Sequence, residues 1–385
     1  MFTVISNLII TQIQLPMTTK NTNSGLTLTK AAFIARQAIK FSAVAVVLII
    51  VGQMLFNSFR AYWKATHPAP PPPPTVGFGV LPAPKFKVDP KLKAKTPKSY
   101  KLETATGTLG RFPGQLNVYL MPKKTPGLLT HEEAIKFAKR FGFVFEPEVI
   151  DETHYRFIKP GKLTKILDLE TVNLTYNYKT DYLDKPELML EAKDLPVKYE
   201  AVDVVKTFLK RGGRLNRDIA TASGEINYLK VVGNSLEPAL AASDADLVSV
   251  SLNRVPINGR YPTYTQEGTR GIIYALISGY GRGDDRLVKV RNAYYPVDYL
   301  SYETYPLKSV KEAWNLLISG HGHVASNRSP NDQVVVREVE LGYYDDLNGA
   351  DYLQPIYVFK GDGEFIGLVP AVDSRYLSQE KKVLK

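Results

Sequence analysis

Five histidines, His67, His131, His154, His321 and His323, are the first residues to ask about chemistry. Gly320-His321-Gly322-His323 sets two imidazoles two residues apart behind a predicted helix. A zinc site needs a third and fourth ligand, and no HExxH or related frame supplies them, so the pair is read as a post-helix turn. Tyr343 to Asp351, YYDDLNGAD, has the composition of a calcium loop. The position two before Asp346 is Tyr344, which breaks the register, and a solvated hairpin loop is expected there. Arg282-Gly283-Asp284 lies inside GYGRGDD, which reads as a turn joining two strands; it opens no helix and is no dinucleotide loop. No serine stands in a nucleophile-elbow frame, and spacing alone brings no pair of carboxylates to one cleft. The chain has no cysteine, which excludes disulfides, thiolate metal sites and a Cys nucleophile. No catalytic, cofactor-binding or metal-binding residue is assigned, and the chain is read as a non-enzyme. An envelope hydrolase or cell-wall enzyme with an unrecognised site, and a structural scaffold of an envelope complex, stand as the alternatives.

One pair of polar residues does suggest a contact. Gln53 and Asn57 lie four apart within Phe41 to Phe59, a run of 19 residues without charge. On a helix they share a face, and an amide in lipid is best satisfied by a neighbouring helix, so both are candidate contacts to a transmembrane partner. The competing reading places them near the outer interface, where water meets them. The run itself spans about 28 Å as a helix, close to a bilayer's hydrocarbon core of about 30 Å. Lys30, Arg36 and Lys40 precede it; Arg60, Tyr62, Trp63 and Lys64 follow as interfacial anchors. The basic residues favour a cytoplasmic N-terminus, and the flank offers a poor cleavage site, so an uncleaved anchor is expected. Residues 1 to 16 are apolar but too short to span, and Met17 offers a second start.

Charge is divided unevenly. Of 49 Lys and Arg, 13 fall in residues 1 to 101 against one acid, Asp89; the remaining 284 residues carry 36 basic and 37 acidic groups, net −1. Nucleic-acid binding needs its basic excess on the folded part, so nucleic acid is not expected as a partner. Pro70 to Pro74 should hold the chain extended as polyproline II. Lys85 to Lys101, with seven lysines, reads as a solvated linker or as a segment drawn to an anionic surface.

From residue 102 onward three segments share a Glu-Ala pair, helical apolar spacing and a following glycine: Leu129 to Phe143, Leu195 to Gly213 and Pro306 to Gly322. Ala134, Phe137, Ala138 and Phe141 mark one helical face. Thr130 with Glu133, and Ser309 with Glu312, form capping-box patterns. Alternating Tyr- and Val-rich segments with short turns follow each helix, which predicts antiparallel pairing. The fold class expected is α+β: an N-terminal transmembrane helix followed by two to three modules, each a helix packed on an antiparallel sheet. The expected order is a cytoplasmic tail at 1–40, the span at 41–59 and a Pro- and Lys-rich stalk at 60–101. Modules follow at 102–186, 194–298 and 299–376, with a tail at 377–385. Of the 23 tyrosines, 21 lie from residue 102 on, which suits both strand packing and contact surfaces.

The helix YPLKSVKEAWNLLISG, the strand VREVELGYYDD and the segment YLQPIYVFKGDGEFIGLVPAVD together resemble the C-terminal module of the YycH/YycI-type regulators. Leu341-Gly342-Tyr343-Tyr344 is the most specific part of a likeness that covers roughly residues 195 to 375. The resemblance implies a single-pass protein of the bacterial cell membrane with extracytoplasmic, PepSY-like modules. It also implies regulation by binding an envelope partner such as a sensor kinase, with no cofactor. The extra module at 102–186, the long N-terminal tail and the proline stalk depart from that pattern, so the partner need not be the same.

Overall fold

A computed structural model describes residues 27–67, 72–90, 93–127, 130–190, 195–233 and 235–378. The reading of residues 1 to 16 lies outside them. The chain divides into two compact units, Met1–Pro73 and Pro74–Lys385.

In the first unit a single helix, α1 (Leu28–Thr66), contains the expected span and runs well beyond it at the N-terminal side. It is the one helix among the described residues long and apolar enough to cross a membrane.

The second unit is α+β. Its strands are β1 (Leu81–Pro82), β2 (Ser99–Leu102), β3 (Gln115–Leu120), β4 (Glu148–Val149), β5 (His154–Lys159), β6 (Lys165–Glu170), β7 (Thr175–Thr180), β8 (Glu225–Val232), β9 (Ser235–Pro238) and β10 (Leu247–Leu252). They continue with β11 (Thr263–Tyr264), β12 (Ile273–Ser278), β13 (Leu287–Asn292), β14 (Asp298–Pro306), β15 (His323–Ser326), β16 (Gln333–Tyr344), β17 (Tyr352–Gly361), β18 (Phe365–Pro370) and β19 (Leu377–Ser378). The helices are α2 (Thr130–Lys139), α3 (Pro186–Leu190), α4 (Lys198–Arg211), α5 (Arg217–Ala220) and α6 (Val310–Ile318).

Nine strands form one antiparallel sheet in the order β4-β5-β6-β7-β13-β12-β10-β8-β9. The segments read as the first and second modules therefore share this sheet, joined where β7 pairs with β13. The joint is favoured by apolar burial: α2 and α4 lie on the same face, with the Phe141 and Phe208 rings 4.6 Å apart. Ala134, Phe137, Ala138 and Phe141 are all buried, as their spacing predicts. Burying each phenylalanine contributes about 1.5–3 kcal/mol.

The second sheet is built on β11-β16-β17-β18-β15, with β14 and β3 paired beside it and β2 on β16. It packs against α6 through Ala313 and Leu317. Ser309 caps α6, its hydroxyl accepting the Glu312 N–H at 3.2 Å. Thr130 is instead the first residue of α2, and its hydroxyl turns to the Glu152 carbonyl.

Of the residues expected as a stalk over 60–101, those at 60–66 continue α1. From Pro74 the chain belongs to the folded unit. Leu81 is fully buried with Val118, Tyr305 and Val372, β1 pairs with β19, and β2 adds in parallel to β16. Lys95 and Lys98 sit 2.9 and 2.7 Å from Asp332, and Lys101 pairs with Glu103. Apolar side chains at Leu81, Phe86 and Tyr100 anchor what lysine content alone marks as solvated. Leu377 and Ser378 of the expected tail are likewise strand residues.

Candidate binding face

Because side chains alternate along a strand, the face of the nine-stranded sheet opposite α2 and α4 carries a different set of residues. One row crosses seven strands in direct register: Arg156, Asp168, Asn177, Arg291, Tyr274, Ser251 and Glu225. The next row reads Ile158, Ile166, Lys179, Lys289, Leu276, Ser249 and Asn227. Ile158, Asn177, Lys179, Lys289, Asn227 and Glu225 are exposed. No helix covers this middle part of the face; α3 and the turn at Tyr182 cap one end through Leu188, Leu229 and Leu276.

Several polar groups in the first row are held in place. Arg156 Nε donates to Asp168 at 2.6 Å. Arg291 Nη1 donates to Glu267 at 2.6 Å, and its Nη2 to the Gly271 carbonyl at 3.1 Å. The Arg270 guanidinium lies 4.9 Å over the Tyr274 ring, an attractive cation–π geometry.

At one edge of the face opens a cleft of about 340 Å³, lined among others by His154, Asp168, Glu170, Asn177, Glu267 and Arg291. Gln266 and Asn348 reach it from the second sheet's connections. Glu267 Oε2, Arg291 Nε and Asn292 Nδ2 are buried there without a hydrogen bond. Such a volume is of the size that holds small ligands. A second cleft, about 430 Å³, opens along the same seam between the sheets, lined by Asn253, Arg254, Thr263 and Lys360.

Arg254 clamps that seam. Its side chain has no solvent exposure, and neither has that of Asp345, which accepts from its Nε at 2.6 Å. Asp218 of α5 accepts from Nη1 at 2.8 Å and from the Tyr294 and Tyr299 hydroxyls at 3.3 Å each. Arg254 also donates to the Tyr295 carbonyl and lies 4.3 Å over the Tyr294 ring. Burial raises the Asp345 carboxyl against the pull of the Arg254 charge. Gly349 closes this loop with φ +79°, where a Cβ would come 2.8 Å from the Tyr295 ring. The segment 343–351, expected as a solvated hairpin loop, is thus a buried junction: Asp345 and Asp346 are 0% and 6% exposed. The carboxylates face inward because an arginine from the other sheet meets one, and the Gln266 amide the other at 3.1 Å.

The two histidines of the Gly-His-Gly-His segment are held apart by different partners. His321 Nδ1 meets the Ser319 hydroxyl. His323 stacks on Phe86, centroids 4.9 Å apart, and its Nε2–H donates to the Gln266 carbonyl at 2.7 Å. Burial lowers the His323 pKa, with the Gln266 hydrogen bond opposing. Arg282 to Asp285 form the turn between β12 and β13, with Asp284 paired to Arg211 and Asp285 to Lys165. Gln53 and Asn57 lie one turn apart on α1, both exposed.

Sequence reasoning missed Arg254 and the basic residues of the open face. Alternation marks Asn177 and Lys179 as outward, but which strand lies beside β7 is not written in β7.

No family model and no curated protein matches the chain. Several solved structures resemble it, among them the following two. The C-terminal domain of YpeB from Bacillus megaterium shares 13% identity over 65% of this chain and 95% of its own, with a TM-score of 0.30. An uncharacterized protein from Eubacterium rectale shares 11% over 68% and 84%, with a TM-score of 0.31. Likenesses at that level carry no argument about function.

Proposed function

We propose that the chain is a membrane-anchored extracytoplasmic regulator of the YycH/YycI type that acts by binding an envelope partner such as a sensor kinase, not by catalysis. The observation that carries this reading is the uncovered part of the nine-stranded sheet: one face is filled by α2 and α4, while the other leaves Asn177, Lys179, Lys289, Ile158, Asn227 and Glu225 open to solvent. The carboxylates beside the cleft already serve the fold, which favours binding over acid–base chemistry. Asp168 holds Arg156, Glu267 holds Arg291, and Glu170 accepts from the Val172 and Asn173 backbone N–H groups. The apolar helix α1 supports the anchor, and Gln53 with Asn57 supplies amides for a helix contact within it.

The test is affinity capture of the full chain from membranes, followed by co-purification with Gln53→Leu and Asn57→Leu combined. Leucine keeps insertion favourable while removing the amides, so partner recovery should fall at unchanged membrane level. Equal recovery with the double variant would remove the membrane helix from the contact.

A further inference from the structure

Near the middle of the open face, Lys179 and Lys289 stand directly opposite each other on β7 and β13. Like charges placed so destabilise a sheet, and both residues are exposed on the uncovered side. Neither ammonium forms an ion pair among the described residues. Arg291 adjoins Lys289 in the next row, and Arg270 lies over the neighbouring Tyr274. Of the acids on this side, Glu267 is bonded to Arg291 and lies 3.9 Å from Arg270, and Asp168, diagonal to Lys179, is held by Arg156. Partial desolvation by its neighbours lowers the Lys289 pKa, and Arg291, Arg270 and Lys179 lower it further against Glu267. The cluster keeps a net positive charge that the fold does not need.

What lies beside the lysines narrows the partner. Ile166 is the next residue in the row and Ile158, 44% exposed, follows it. We propose that this face binds an extended acidic segment of a partner protein, one carboxylate set between Lys179 and Lys289 and the next side chain on the same side, an apolar one, over Ile166 and Ile158. Strands lie about 4.8 Å apart, so Ile166 is about 7 Å from the midpoint of the lysine pair. An extended peptide repeats its same-side positions every ~6.7 Å, which matches that interval. A phosphate polymer would satisfy the lysines but gain nothing from the isoleucines. The proposal rests on the reading of the chain as a binding protein and gives that partner its chemistry.

The test uses the full chain in phosphatidylcholine nanodiscs and a fluorescent peptide of repeated Glu-Ser-Leu-Ser, which when extended sets Glu and Leu in turn on one side, followed by anisotropy. Lys179→Gln with Lys289→Gln should weaken binding about tenfold, since the exposed ion pairs to the peptide are lost. Without peptide, the same variant should unfold at a higher temperature than the wild-type chain, because the repulsion is gone; this also shows that it folds. Replacing the peptide's Leu by Ser should weaken binding by several-fold. Equal affinity of variant and wild type, no binding by either, or preference for phosphatidylglycerol vesicles or an oligonucleotide over the peptide would overturn the proposal. If that happens while membrane capture still recovers a partner, the binding function stands and only the assignment of this face falls.

Discussion

Arg254 gathers more polar partners than any sequence motif suggested, and its surroundings decide what its removal would do. With Arg254→Met the shape of the stem is roughly kept, but Asp345 loses its counter-charge and Asp218 its nearest cation inside the protein. Breaking one side of a buried pair costs about 3–5 kcal/mol, because the other charge stays desolvated. Chemical unfolding of the variant should show that loss, and substituting Asp345→Asn as well should recover part of it, since the stranded carboxylate is then gone. A change under about 1 kcal/mol would mean that the Tyr294 and Tyr299 hydroxyl bonds to Asp218 hold the seam without the charge. The lysines at 179 and 289 illustrate the opposite case, where charge lies on the surface and its proposed partner comes from outside.

At the scale of elements, the segment 74–102 behaves as part of the folded unit although its composition is that of a linker. Leu81 fills a site made by Val118, Tyr305 and Val372, and Phe86 lies between His323 and Tyr344. β2 covers the outer edge of β16 over Gln333 to Val336, an edge that would otherwise be open to another strand. A fragment of residues 74–385 should therefore unfold in one cooperative step, and one of residues 103–385 at a clearly lower temperature with binding of a hydrophobic dye. Leu81 alone accounts for about 1.5–3 kcal/mol of the difference. Matching transitions for the two fragments would show that the N-terminal strands add little.

For the whole molecule, topology is the property most open to a direct test. The basic residues before the apolar run favour a cytoplasmic N-terminus, and residues 74–385 carry their own cores. Protease added to intact spheroplasts should remove the folded unit and leave the anchor helix in the membrane. Survival of the folded unit until the cells are lysed would reverse the orientation.

Much of this protein is readable from local pattern. The strands at Glu225–Val232 and Gln333–Tyr344 coincide with their alternating segments, and α2, α4 and α6 fall within the three helical repeats. Periodicity reports which side of an element is apolar, and that is a property of neighbouring residues. The 19 uncharged residues within α1 are legible for the same reason, since length and composition decide whether a helix can span a bilayer. Composition misled where a few apolar side chains outweigh many lysines, as at Leu81 and Phe86, and where a polar loop turned inward, as at Asp345. Strand order was decided only in three dimensions. β7 meets β13, 108 residues away at Thr180 and Val288, because two amphipathic helices bury more area on one broad sheet than on two narrow ones. That pairing sets Lys179 against Lys289 and makes the open face, and no local pattern in either strand encodes it.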